Sequence, residues 1–117
     1  MLHLSNKEEN FELSFSLCPR SFKVVAQPTD QTTEGKGTFA YNVEKETLSI
    51  VFDGLNGPNS AGGWNNESLD IKLQPAVYEA AIKGLLRKPT QVMFRSKSLY
   101  NRPLMATLSP LLAASGR

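Results

Sequence analysis

One histidine, His3, and one cysteine, Cys18, are the only residues of their kinds among 117, and their positions limit the chemistry available. A serine or cysteine nucleophile needs an imidazole base within hydrogen-bond reach. His3 falls in residues 1–9, which read as a candidate disordered start, so a triad is not expected. Cys18 precedes Pro19 at the end of an apolar run and reads as a small packed residue rather than a reactive thiol. A lone cysteine forms no internal disulfide, and one histidine without a CxxC pair offers no zinc-ligand spacing. A reduced domain without metal or cofactor is expected.

The stretch "DGLNGPNSAGGWNNESL", Asp53 to Leu69, holds four glycines, four asparagines and the only tryptophan. It matches neither the dinucleotide pattern GxGxxG nor the phosphate loop GxxxxGK[ST]. Asp53 and Glu67 bracket it and could pair as carboxylates, but turn and capping roles suit them better. The inventory therefore indicates a non-enzymatic binding protein.

Charge is unevenly divided. Residues 1–58 hold five Lys/Arg against eight Asp/Glu, whereas residues 59–117 hold eight against three. Such asymmetry suits a nucleic-acid or acidic partner, although a solvated helix face also collects basic residues. No apolar run approaches the roughly 20 residues that span a bilayer. The start "MLHLSNKEENFELSF" lacks a basic and apolar leader, so no membrane association and a cytoplasmic location are expected.

The elements that would position a site follow from periodicity. "FELSFSL" alternates apolar and polar residues as a half-buried strand does. "SFKVVAQ", "TFAYNV" and "LSIVF" read as further strands, the last two joined by "EKET" as an antiparallel hairpin. "SLDIKL" resumes the sheet after the long loop at 53–68. Pro75 suits a first helical turn and Pro89 stops the segment, predicting a helix at about 75–87 whose stripe is Tyr78, Ala81, Ile82, Leu85 and Leu86. Gly84 interrupts it, either for close approach to a strand or as a tolerated residue. "TQVMFRSKSLY" reads as a strand with Val92, Phe94 and Ser96 on one face and Met93, Arg95 and Lys97 on the other. "LMATL" is a candidate last strand, while 104–117 as a whole reads as a docking or flexible tail. The fold class is α+β: a single domain in which an antiparallel meander packs against one main helix.

The segment "ETLSIVFDGLNGPNSAGGWNNESLDIKLQPAVYEAAIKGLL" resembles the β-loop-β-α core of the Whirly-like single-stranded nucleic-acid-binding group, which includes Pur-alpha repeats and positive cofactor four. The resemblance rests on "LSIVF", the loop, "DIKLQP" and Tyr78, over residues 46–86. It implies a curved antiparallel sheet that binds single strands through basic residues and stacked aromatics, in a dimer or larger assembly. Phosphate contacts would fall to Lys36, Lys72, Arg95 and Lys97, and base stacking to Tyr41 and Trp64. Phe39 on the same strand as Tyr41 is better read as core.

Two other readings stay open. The 53–68 loop and the apolar end "LMATLSPLLAAS" could form a protein-interaction module or inhibitor, and a sheet wrapped around a helix could enclose a small ligand. Trp64 is either a ring folded back onto the sheet or one held ready for a ligand. Unpaired sheet edges and apolar surface favour a homo-oligomer.

Overall fold

A computed structural model describes residues 2–8, 11–17, 20–25, 32–56, 68–97 and 102–110. These form eight strands, β1 (Leu2–Asn6), β2 (Phe11–Leu17), β3 (Arg20–Val25), β4 (Thr32–Asn42), β5 (Thr47–Asn56), β6 (Ser68–Lys72), β7 (Thr90–Ser96) and β8 (Leu104–Pro110). One helix, α1 (Pro75–Ile82), lies between β6 and β7. Each strand pairs antiparallel with the next, and β1 also pairs with β8, so the single antiparallel sheet curls into a closed barrel. The expected antiparallel sheet with one helix is present, but the balance is mostly β.

Alternation along the strands explains the barrel wall. Leu2 and Leu4 in β1, and Phe11, Leu13, Phe15 and Leu17 in β2, are buried, while the residues between them are half-buried. The same period places Leu48, Ile50 and Phe52, then Leu69 and Ile71, then Val92 and Phe94, and finally Leu104, Ala106 and Leu108 inside. All belong to one core cluster. Phe11 and Phe94 meet within it at a centroid distance of 4.9 Å and an angle of 32°, although three strand boundaries separate β2 from β7 through β1 and β8. The contact therefore joins different sectors of the wall.

Several expectations change at the termini of elements. Residues 2–6 are not disordered: β1 is held on both edges by β2 and β8, and a terminal segment tied into a sheet is ordered by that pairing. Asn6 extends the seam, its Nδ2 donating to the Met105 carbonyl at 2.7 Å. Residues 104–110 are likewise β8 rather than a tail, because β7 and β1 flank them. Residues 111–117 lie outside the described part. The long loop is shorter than 53–68, since β5 continues to Asn56, with Lys36 opposite Asp53 and Glu34 opposite Asn56 across a register shift. Residues 57–67 lie outside the described residues. The strands flanking them, β5 and β6, are neighbours as expected.

The helix ends at Ile82 rather than near 87, and Gly84 is the reason. Its φ of 73° is left-handed, its N–H donates to the Ala81 carbonyl at 3.2 Å, and Leu85 N–H donates to the Ala80 carbonyl at 2.7 Å. These two bonds close the helix as a Schellman cap does, with glycine at the residue that needs positive φ. Val77, Tyr78, Ala81 and Leu86 pack against the core, whereas Ile82 and Leu85 are exposed. The apolar stripe is thus only partly used.

Gly84→Ala should lower stability by about 1–2 kcal/mol through backbone conformation alone, since a Cβ there meets nothing within 4 Å; urea unfolding measures it. Phe94→Ala should cost about 3–5 kcal/mol, and its double-mutant cycle with Phe11→Ala should show a coupling of about 0.5–1.5 kcal/mol. Zero coupling would mean that the cross-barrel contact contributes nothing of its own.

Candidate functional site

The register creates an opening in the barrel wall. β7 pairs with β8 through Thr90–Phe94 but with β6 only through Phe94–Ser96. β6 ends at Lys72, where the chain turns into α1, so the first half of β7 runs beside the helix connection instead of a strand. A cleft of about 410 Å³ occupies this gap. Leu73, Val77, Val92, Met93 and Met105 supply its apolar lining, and Glu46, Lys72, Gln74, Thr90 and Gln91 supply polar groups.

The connection out of β6 is held by β4 and by the β4–β5 turn. Leu73 N–H donates to the Glu46 carbonyl at 2.8 Å, and the Tyr41 hydroxyl donates to the Leu73 carbonyl. The Tyr41 ring stacks on Tyr78 of α1 at 4.0 Å and 4°, so β4 fixes both the start of the connection and the helix that follows. Burial pushes the Tyr41 hydroxyl above the ordinary tyrosine range, with the Glu46 carboxylate and Tyr78 adding to the effect. Glu46 has a φ of 52°, a conformation that disfavours a residue with a Cβ. It closes the β4–β5 turn, where Lys45 N–H also donates to Asn42 Oδ1 at 2.9 Å.

The residues singled out for nucleic-acid binding divide between the faces of the wall. Tyr41 stands on the inward face opposite Leu48, packed against the core with Phe39. Lys72, Arg95 and Lys97 are exposed on the outward face of β6, β7 and the residue just beyond. Asp70 lies among them, directly opposite Arg95 and accepting from Ser49 Oγ at 2.7 Å. The Lys72 ammonium donates to the Lys45 carbonyl at 2.9 Å. Lys36 is on β4, but its side chain lies outside the described part of the structure, as does Trp64 altogether. The structure therefore brings together Lys72, Arg95 and Lys97 and separates Tyr41 from them.

A second polar cluster went unread because it spans two strands. His3 is ordered in β1, with Nδ1 3.0 Å from Ser14 Oγ and Nε2 3.2 Å from Glu12 Oε1. The order serine, histidine, carboxylate is that of a hydrolytic relay. However, β2 pairs along both edges, with His3 and Lys23 flanking Ser14, so its ladder amides are committed to the sheet instead of facing an oxyanion. The cluster ties β1 to β2 on the outer face. Cross-strand register, which places His3 opposite Ser14, was the missing information. Among the described residues, no group of three or more His, Cys, Asp or Glu is placed to hold a metal, and no helix is long and apolar enough to cross a membrane.

Comparison of this chain with protein-family models, curated proteins and solved structures finds no match.

The raised Tyr41 pKa has a definite sign. The folded state holds the phenol proton more tightly than the unfolded chain, whose value is 10.0. This contribution is fully present below that value and disappears as pH rises through the higher folded value. Between about pH 9 and pH 11, the wild type should lose more stability than Tyr41→Phe, measured by urea midpoints at each pH. Equal losses would show that Tyr41 does not carry this pH dependence.

Proposed function

We propose that this chain is a non-enzymatic binding protein that takes a small, mainly apolar ligand with a polar end in the cleft between β6, β7 and α1. The observation that carries the reading is the staggered seam: the register opens the wall where apolar side chains line the gap and polar groups converge on it. Its volume of about 410 Å³ falls within the usual range for small-molecule sites, which combine an apolar lining with a few orienting polar groups. Inside the barrel, Phe11, Phe15, Phe52 and Phe94 take up core space, so the seam rather than the interior receives the ligand. Strained Glu46 on the cleft lining supports the same location, because backbone strain is retained where a particular side chain is needed.

Titration with an anilinonaphthalene sulfonate dye, followed by short alkyl amphiphiles as competitors, tests this. Val77→Trp should fill the cleft and weaken dye binding at least tenfold, with circular dichroism checking that the β-sheet signal persists despite an overpacking cost of about 1–3 kcal/mol. Glu46→Gly should raise stability by about 1 kcal/mol by relieving the left-handed backbone while altering the preference among ligands of different head-group charge. Unchanged dye affinity in Val77→Trp would eliminate the cleft as the site.

A second reading rests on a separate observation, the shared outward face of Lys72, Arg95 and Lys97. Three cations on one surface can track a phosphate backbone, in line with the Whirly-like resemblance, while Asp70 reduces the local positive field. Retention on single-stranded DNA that salt abolishes, and that Arg95→Ala with Lys97→Ala weakens, would support it; no retention at low salt would remove it. For assembly, barrel closure removes the free edge strands that favoured a homo-oligomer, and among the described residues exposed Val43, Val51, Ile82, Leu85, Met93 and Met105 are the apolar surface for such contacts.

A further inference from the structure

Met93 and Met105 are direct cross-strand partners on β7 and β8. Both side chains point outward, 42% and 49% exposed, and both line the cleft. Methionine is among the side chains most often buried, and two of the three in this chain stand side by side in water at the mouth of an apolar gap. An apolar lining alone would be met by leucine, with fewer rotatable bonds. The thioether adds flexibility and polarisability, and also a sulfur lone pair that reacts with peroxides. Around the pair the outward face is polar: Gln91 Nε2 donates to Thr107 Oγ1 at 3.0 Å on one side, and Arg95 is exposed on the other. The two sulfurs thus form a small reactive apolar island bordering the gap.

We propose that Met93 and Met105 form a peroxide-reactive modification site whose oxidation closes the cleft to apolar ligands. The reaction does not depend on the cleft reading; its consequence for binding does. In each step a methionine sulfur attacks one oxygen of a hydroperoxide, so that an S–O bond forms as the O–O bond breaks. The sulfur is oxidised by two electrons to the sulfoxide. The other peroxide oxygen leaves with the electron pair and, after proton transfer, becomes water from hydrogen peroxide or an alcohol from an alkyl hydroperoxide. No charge is added, but each sulfur now carries a strong hydrogen-bond acceptor where an apolar ligand body would lie. Covering that acceptor without a donor opposes binding by an amount equivalent to about tenfold or more in affinity. The exposure that admits peroxide also leaves the sulfoxides open to methionine sulfoxide reductases, making the change reversible.

The experiment treats the full chain with dilute hydrogen peroxide and follows sulfoxide formation by peptide mass spectrometry, fold by circular dichroism, and affinity for the same naphthalene dye. Both sulfurs should oxidise at a rate close to that of free methionine while the β-sheet signal persists. Dye affinity should fall about tenfold or more and return after reductase treatment. The Met93→Leu, Met105→Leu double variant keeps an apolar lining but has no sulfur there, so whatever dye affinity it shows before peroxide treatment should be the same after it. Oxidation far slower than that of free methionine, loss of the fold with oxidation, or full oxidation without change in dye affinity would overturn the proposal. If untreated protein fails to bind dye, the cleft reading and the gating consequence fail together. The oxidation rate and reductase recovery then decide only whether the pair is a reversible modification site.

Discussion

Closure of the sheet between β1 and β8 is the constraint on which the rest of this structure depends. Leu4 lies opposite Leu13 on one side and Leu108 on the other, so a strand near the chain start shares its ladder with one near position 110. Without that seam, β1 and β8 would each present an unpaired edge, and the inward leucines and phenylalanines would face water across an open sheet. Closure satisfies the edge hydrogen bonds and turns alternating strands into an enclosed core. It also brings Phe11 within ring contact of Phe94, packing one sector of the wall against another.

A closed barrel of staggered strands does not pair every residue on both sides, and here the shortfall falls where the chain leaves for α1. The helix has no fully buried residue, so it packs as a partial cover rather than a core element. Its position comes from the Tyr41–Tyr78 stack and from the clamp on Leu73 by Tyr41 and Glu46. One inward tyrosine thereby links the β4–β5 turn, the exit from β6 and the helix. The cleft is bounded by groups that this linkage holds in place, which gives a gap made largely by connection geometry a defined shape.

The outer face carries a different chemistry. Lys72, Arg95 and Lys97 give β6 and β7 a basic exterior interrupted by Asp70, while Met93 and Met105 form an apolar strip toward β8. Cation and thioether alternate along β7 because Met93 and Arg95 are two residues apart, a spacing that puts both side chains on the same face. The two proposed binding modes therefore use adjacent surfaces that meet at Lys72.

Much of the local structure was legible from residue order alone. The alternation in "FELSFSL", the hairpin around "EKET", and the opposite faces of Val92 and Met93 follow from a two-residue period, and Pro75 marked the helix start. Glycine composition did not reveal that Gly84 caps α1 instead of merely weakening it, because the same residue suits both roles until φ is known. The sequence likewise disclosed cations at Lys72, Arg95 and Lys97 but not that Tyr41 faces the opposite way from them. Tertiary structure alone decided the pairing of β1 with β8, the meeting of His3 with Ser14, and the seam between β6 and β7. Each depends on register between strands, and a local pattern specifies which face a side chain takes without specifying which distant residue it will meet.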